Sequence, residues 1–141
     1  MPFKPQEQRM SKPNIGFIGL GLMGAAMVSR LQDIGYPMSI CANISRPNID
    51  AAVARGANEV DTAHQVAAAS DIIMLCMDTT ASVEARMRGP EGVISGLSAG
   101  NVVIDFGTSL PASTRVLGLE VAQVGAQYLS LIHISEPTRR R

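Results

Sequence analysis

The chain has 141 residues, 46% hydrophobic and 17% charged, which suits one folded domain and excludes a disordered chain. Twelve basic and twelve acidic side chains give a formal net charge of zero, so no nucleic acid or other polyanion is implied as a partner. The longest apolar runs, such as Ile72 to Met77, are far too short to cross a membrane, and the start MPFKPQEQRMSK has no apolar signal region, so a cytoplasmic location is expected.

Residues 1–13 read as a disordered extension, and the fold signal begins near Asn14. Ile15 to Ile18 is an apolar strand that runs into Gly19-Leu20-Gly21-Leu22-Met23-Gly24. The three glycines stand at G-x-G-x-x-G spacing between a strand and a helix, the context in which that spacing binds a dinucleotide. Gly19 permits the tight turn, Gly21 lets a pyrophosphate approach the backbone, and Gly24 lets the helix pack closely on the strand. The helix runs from about Leu22 to Asp33, with Met23, Ala26, Met27 and Leu31 on one face, and stops at Gly35. Its first-turn N–H groups and dipole attract phosphate.

Pro37 to Ala42 is a second strand, Asn48 to Arg55 a short helix closed by Gly56, and Ala57 to Val60 a third strand. Thr62 caps a helix that runs to Ala69. The unbroken apolar run from Asp71 to Met77 suits a parallel strand buried on both faces. Ser82 to Arg88 is helical until Gly89-Pro90-Glu91-Gly92 breaks it, and Val93 to Leu97 is one further turn. Asn101 to Phe106 is another buried strand, Pro111 opens a helix to about Val124, and Gln127-Tyr128-Leu129 begins a last strand. This alternation predicts an α/β fold, a doubly wound parallel sheet in a single domain. A helical bundle does not account for the runs at 71–77 and 101–106.

In such a sheet the ligand lies across the carboxyl ends of the strands. After the second strand, NAD-binding versions place an acid on the ribose hydroxyls, but here the chain reads Cys41-Ala42-Asn43-Ile44-Ser45-Arg46. Asn43, Ser45 and Arg46 suit a 2′-phosphate instead, which favours NADP over NAD; otherwise Arg46 is a solvated loop residue. Met77 and Asp78 lie in the next loop, beside the adenine ribose and pyrophosphate. Thr108, after the fifth strand, reaches the nicotinamide side, or with Ser109 caps the helix before Pro111. Cys41 and Cys76 read as small buried side chains and His64 as a surface residue, and no metal site is formed.

IGFIGLGLMGAAM (15–27), DIIMLCMD (71–78), GPEGVISGL (89–97) and VVIDFGTSLPASTR (102–115) together resemble the β-hydroxyacid dehydrogenases. That family includes 3-hydroxyisobutyrate dehydrogenase and tartronate semialdehyde reductase, and is related to 6-phosphogluconate dehydrogenase. The resemblance covers residues 14–128. It implies a Rossmann-type NAD(P)-binding domain of an oxidoreductase acting with NADP, or NAD, on a small hydroxy acid or its semialdehyde. Imine reductases share this half, which leaves them as an alternative, with a non-enzymatic dinucleotide-binding module as another. The chain departs from the family pattern at Ile44, where Arg is common, and at Gly107, where Ser is usual.

The resemblance also implies an all-helical second domain, which makes the homodimer of the full-length parent, and a catalytic Lys before it. This chain has only Lys4 and Lys12, both ahead of the first strand, so no catalytic residue is assigned and the chain alone is expected to be inactive. Residues 129–139, LSLIHISEPTR, match the translation of a transposase-type sequencing adapter, so 129–141 is expected to be a non-native tail and His133 carries no role.

Overall fold

The computed structural model describes residues 12–41, 46–107 and 110–131. Its elements are β1 (Ile15–Ile18), α1 (Leu22–Ile34), β2 (Met38–Cys41), α2 (Arg46–Ala54), β3 (Asn58–Val60) and α3 (Ala63–Ala68). There follow β4 (Ile72–Leu75), α4 (Thr80–Met87), α5 (Val93–Gly96), β5 (Val102–Asp105), α6 (Pro111–Gln123) and β6 (Gln127–Ser130). All the predicted elements are present, with ends that differ by a few residues. The six strands form one sheet in the order β3-β2-β1-β4-β5-β6, every pairing parallel. The chain therefore winds outward from β1 in one direction, crosses back, and winds outward in the other.

Local chemistry sets the ends of the helices. Gly35 closes α1 in a left-handed conformation, φ 104°, with its N–H donating to the carbonyls of Leu31 and Gln32. Thr62 and Gln65 form a reciprocal capping box at α3. Thr79 caps α4 by accepting from the Ser82 N–H, and Pro111 opens α6.

Two apolar layers cover the sheet. Ile15, Phe17, Met38 and Ile40 pack with Val28 of α1 and Ile49 of α2 on one face. Ile18, Ile73, Leu75 and Val103 pack with Val66, Val83, Met87, Leu117 and Val121 from the later helices on the other. Each large apolar side chain so buried contributes about 1.5–3 kcal/mol. Strands β1 and β2 are buried at every residue. β4 and β5 depart from the sequence expectation: buried and half-buried residues alternate along both. The half-buried set, Ile72, Met74, Val102 and Ile104, lies outside the layer formed by α3 to α6, because parallel crossovers leaving β1 in opposite directions put their helices on opposite faces. The expected face of α1, Met23, Ala26, Met27 and Leu31, does lie together. Gly24 and Val28 are its buried residues, while Met23, Met27 and Leu31 line an open apolar groove with Met74 and Phe106.

β6 pairs with β5 through Ser130, so Leu129 and Ser130 belong to the sheet although the adapter-like segment begins at 129. The remainder of that segment, 132–141, and the extension 1–11 lie outside the described residues.

Two glycines test this packing in opposite directions. A Cβ on Gly24 would stand 1.9 Å from the Gly19 carbonyl oxygen, so Gly24→Ala lowers stability by about 1–3 kcal/mol. Gly118, inside α6, has open space around its Cα, so Gly118→Ala raises stability by about 0.5–1 kcal/mol. Urea unfolding of the two variants checks both signs.

Candidate functional site

The strands all point one way, so their carboxyl ends form a single edge, and the turn between β1 and α1 sits at its middle. Gly19 has φ 102°, and a Cβ there would meet the Cys76 carbonyl oxygen at 2.2 Å. Glycine is therefore required at 19 by conformation and by space, and at 24 by space. Gly21 differs: nothing lies within 4 Å of where its Cβ would be. It is the N-cap of α1, no side chain caps the helix, and the first turn holds no acid. The leading N–H groups thus face an open position over a backbone that offers no side chain, an arrangement suited to an anion.

The rest of the turn divides by exposure. Leu20 is buried, and its carbonyl accepts a hydrogen bond from Asn48 Nδ2 at 2.8 Å, which ties the turn to α2. Leu22 and Met23 are 93% and 62% exposed, so neither is a core residue. They give the edge an apolar rim beside the open anion position.

The loops after β4 and β5 close on this turn. Met77 Sδ stands 3.0 Å from the would-be Gly19 Cβ, and Asp78 is exposed. The Phe106 N–H donates to the Leu75 carbonyl at 2.8 Å. A Cβ on Gly107 would lie 2.6 Å from the Met77 carbonyl oxygen, so the glycine that departs from the family's Ser is what this close approach needs. Gly19 to Gly24, Met77 and Asp78 are thereby assembled at one edge. Asn43, Ser45 and Thr108 lie outside the described residues.

Arg46 is not a loop residue. It is the first residue of α2, and its guanidinium is shared between two carboxylates. Its Nη1 and Nη2 donate to both oxygens of Glu59 at 2.8 Å, while Nε and Nη2 donate to Asp50 at 3.0 and 2.9 Å. Hydrogen bonds to Glu59 and then Asp50 hold its proton more firmly than usual, and the same bond holds Glu59 below the usual carboxylate range. The pairing with Glu59 crosses from α2 to β3 and had no local sequence signal.

A second pair missed from sequence is Asp105 with Tyr128. Asp105, fully buried at the end of β5, accepts from the Tyr128 hydroxyl at 3.0 Å and from the Gly107 N–H at 2.9 Å. It holds the loop after β5 in place. Burial, then the charge of Asp105 and the bond to it, push the Tyr128 hydroxyl well above its usual value. Burial also raises both thiols: Cys41, where the charge of Arg86 opposes the rise, and Cys76, where Asp78 and Asp105 add to it. Neither cysteine is a ready nucleophile. His64 lies half-buried at the surface, and its Nδ1 lies 2.7 Å from Ser95 Oγ. Lys12, the one lysine among the described residues, sits over the Tyr36 ring, before β2 and so at the opposite edge of the sheet. Among the described residues no helix is long and apolar enough to cross a membrane, and no group of three or more His, Cys, Asp and Glu could hold a metal.

Residues 14–131 match the family described as the NAD binding domain of 6-phosphogluconate dehydrogenase. The 2-(hydroxymethyl)glutarate dehydrogenase of Eubacterium barkeri is 38% identical over 115 residues, which are 82% of this chain and 38% of that protein. Among solved structures, Psf3 in complex with NADP+ and 2-OPP aligns with a TM-score of 0.74 at 30% identity, covering 81% of this chain and 40% of its own. An imine reductase variant from Myxococcus stipitatus in complex with NAD+ aligns with a TM-score of 0.75 at 25% identity, covering 84% and 40%. The chain thus spans about two fifths of the length of each protein it matches here.

Two variants probe this edge. Gly21→Ala places a methyl in the open anion position. It costs at most about 1 kcal/mol of stability, as a change at an N-cap, yet weakens binding of a dinucleotide by about tenfold or more, measured by fluorescence titration. Tyr128→Phe leaves the buried Asp105 carboxylate short of a donor and lowers stability at pH 8 by about 1–3 kcal/mol. The folded protein holds the Tyr128 proton above the ordinary value of 10.0, so its contribution is complete below that pH and is lost as pH rises beyond it. Urea midpoints of the parent chain and the variant should therefore stay apart up to pH 10 and approach each other only above it.

Proposed function

Since the chain belongs to the family of the NAD binding domain of 6-phosphogluconate dehydrogenase, we propose that it is the cofactor-binding half of a nicotinamide-dependent oxidoreductase. The observation that carries this reading is the contrast among three glycines: Gly19 and Gly24 are packed against backbone, while Gly21 opens onto free space at an uncapped helix end. The pyrophosphate of NADP or NAD fits that space, held by the N–H groups of Leu22, Met23 and Gly24. Leu20 and Gly19 shape the turn, Met77 backs it, and Asp78 lies beside the ribose. Asn43 and Ser45 would bond the adenosine ribose or its 2′-phosphate, and Thr108 would approach the nicotinamide. Arg46 reaches a 2′-phosphate only by sharing its guanidinium with Glu59 and Asp50. When bound, the cofactor supplies the hydride that the reaction moves.

The relatives support a substrate class. The Eubacterium barkeri protein is named for a hydroxymethyl compound, whose alcohol stands one carbon from the carboxylate-bearing position. We take the intact enzyme to interconvert a small 3-hydroxy acid and its semialdehyde, as a homodimer built through a further domain. Likeness to an imine reductase supports a second reading, reduction of a C=N bond on the same cofactor half. In either case Lys12, at the opposite edge, is not placed to donate the proton.

The reading is tested with the purified 141-residue chain. NADPH or NADH should bind with a change in cofactor fluorescence, while 3-hydroxyisobutyrate or tartronate semialdehyde added with cofactor should give no turnover. A folded chain that leaves both cofactors unbound would falsify the proposal, and turnover would contradict the incomplete active site.

A further inference from the structure

Asp105 ends β5, and none of its surface reaches solvent. A carboxylate buried in this way is costly unless donors meet it. Two of its donors come from different directions. The Gly107 N–H donates to Oδ1 at 2.9 Å, from two residues further along the chain. The Tyr128 hydroxyl donates to Oδ2 at 3.0 Å, from β6, the edge strand of the sheet. One carboxylate thereby joins the start of the loop after β5 to the neighbouring strand.

The same two loop residues are held on their other side. The Phe106 N–H donates to the Leu75 carbonyl at the end of β4. Gly107 lies so near the Met77 carbonyl oxygen that a Cβ would stand 2.6 Å from it, and Met77 lies against Gly19. Contacts thus run without a break from the Tyr128 hydroxyl through Asp105, Gly107 and Met77 to the glycine turn. A doubly wound sheet consists of two mononucleotide-binding halves that meet where the strand order reverses. With the pyrophosphate over the turn after β1 and the adenosine at the end of β2, the nicotinamide half falls at the ends of β4 and β5. Phe106 and Gly107 stand at those ends, both half-buried.

We propose that Tyr128 is a positioning residue for the nicotinamide half of the cofactor, acting through Asp105 to fix Phe106 and Gly107 where the ring arrives. This rests on the dinucleotide reading of the glycine turn. Tyr128 does its work with the hydrogen bond it already makes and touches no ligand. Without its hydroxyl Asp105 loses the donor from β6, and the Gly107 N–H is bound to a carboxylate that is itself less firmly held. The adenosine half, carried by β1 and β2, does not depend on this pair.

ADP-ribose has the adenosine, the pyrophosphate and the second ribose of NADH but no nicotinamide, so calorimetric titration with the two ligands separates the halves of the site. Tyr128→Phe should weaken NADH by about fivefold to tenfold, the effect of about one hydrogen bond, and leave ADP-ribose within about twofold. Val66→Ala, a buried change on α3, lowers stability away from this pair and should leave the ratio of the two affinities as it is in the parent chain. Thermal melts establish that each variant folds. Amide NMR of the parent chain needs no variant: NADH should shift the amides of Phe106 and Gly107, and ADP-ribose should leave them in place. Equal weakening of both ligands by Tyr128→Phe, unchanged NADH affinity, or the same change of ratio in Val66→Ala would overturn the proposal. Shifts of Phe106 and Gly107 as large with ADP-ribose as with NADH would do so too. A parent chain that binds neither ligand would overturn the dinucleotide reading itself.

Discussion

The carbonyl oxygen of Gly19 lies 1.9 Å from the place a Cβ on Gly24 would occupy. A helix can come this close to the strand before it only across a residue with no side chain. The approach has two consequences. Phe17, the fully buried aromatic of β1, packs directly under the helix start, 3.1 Å from the same position. The helix end is also brought to the sheet's edge with its first N–H groups turned outward, unmet by any capping side chain. Packing and binding therefore depend on one contact. The dipole at such an end favours a negative charge by about 0.3–1 kcal/mol, more where water is excluded.

Everything else at the edge is placed by topology. Six parallel strands in the order β3-β2-β1-β4-β5-β6 put the ends of β1 and β4 side by side at the point where the winding reverses. The loop after β4 consequently backs the glycine turn, with Met77 against Gly19, and the loop after β5 leans on the loop after β4 through Gly107. Asp105 and Tyr128 fix that second loop by a half-buried hydrogen bond between neighbouring strands. On the other side, Asn48 holds the Leu20 carbonyl and Arg46 ties α2 to β3. The edge is a set of loops each anchored by a different strand.

Much of this was legible in the sequence because it is local. A strand, three glycines and a helix follow one another within ten residues, and each glycine's task can be read from its position. The helix stops at Gly35 and the capping Thr62 are local in the same way. What could not be read depends on residues distant in the chain. Arg46 looked available for phosphate because Glu59 is thirteen residues on. Asp105 and Tyr128 are twenty-three residues apart, and nothing in either strand marks the pair. The apolar runs at 71–77 and 101–106 resemble strands buried on both faces, but an apolar run does not reveal whether a helix covers its second face. Here one face of β4 and β5 is only half covered, and Met74 and Phe106 instead border an open groove with Met23 and Met27.

On the proposed function, the turn from Gly19 to Gly24 cradles phosphate with backbone N–H groups. Amide NMR of the nitrogen-15-labelled chain during addition of NADPH tests it directly. The largest shifts should fall on the amides of Gly21, Leu22, Met23 and Gly24, with smaller ones at Met77 and Asp78. Saturating NADPH that leaves those four amides unmoved, or shifts centred on the amino-terminal edge of the sheet around Tyr36, would contradict it.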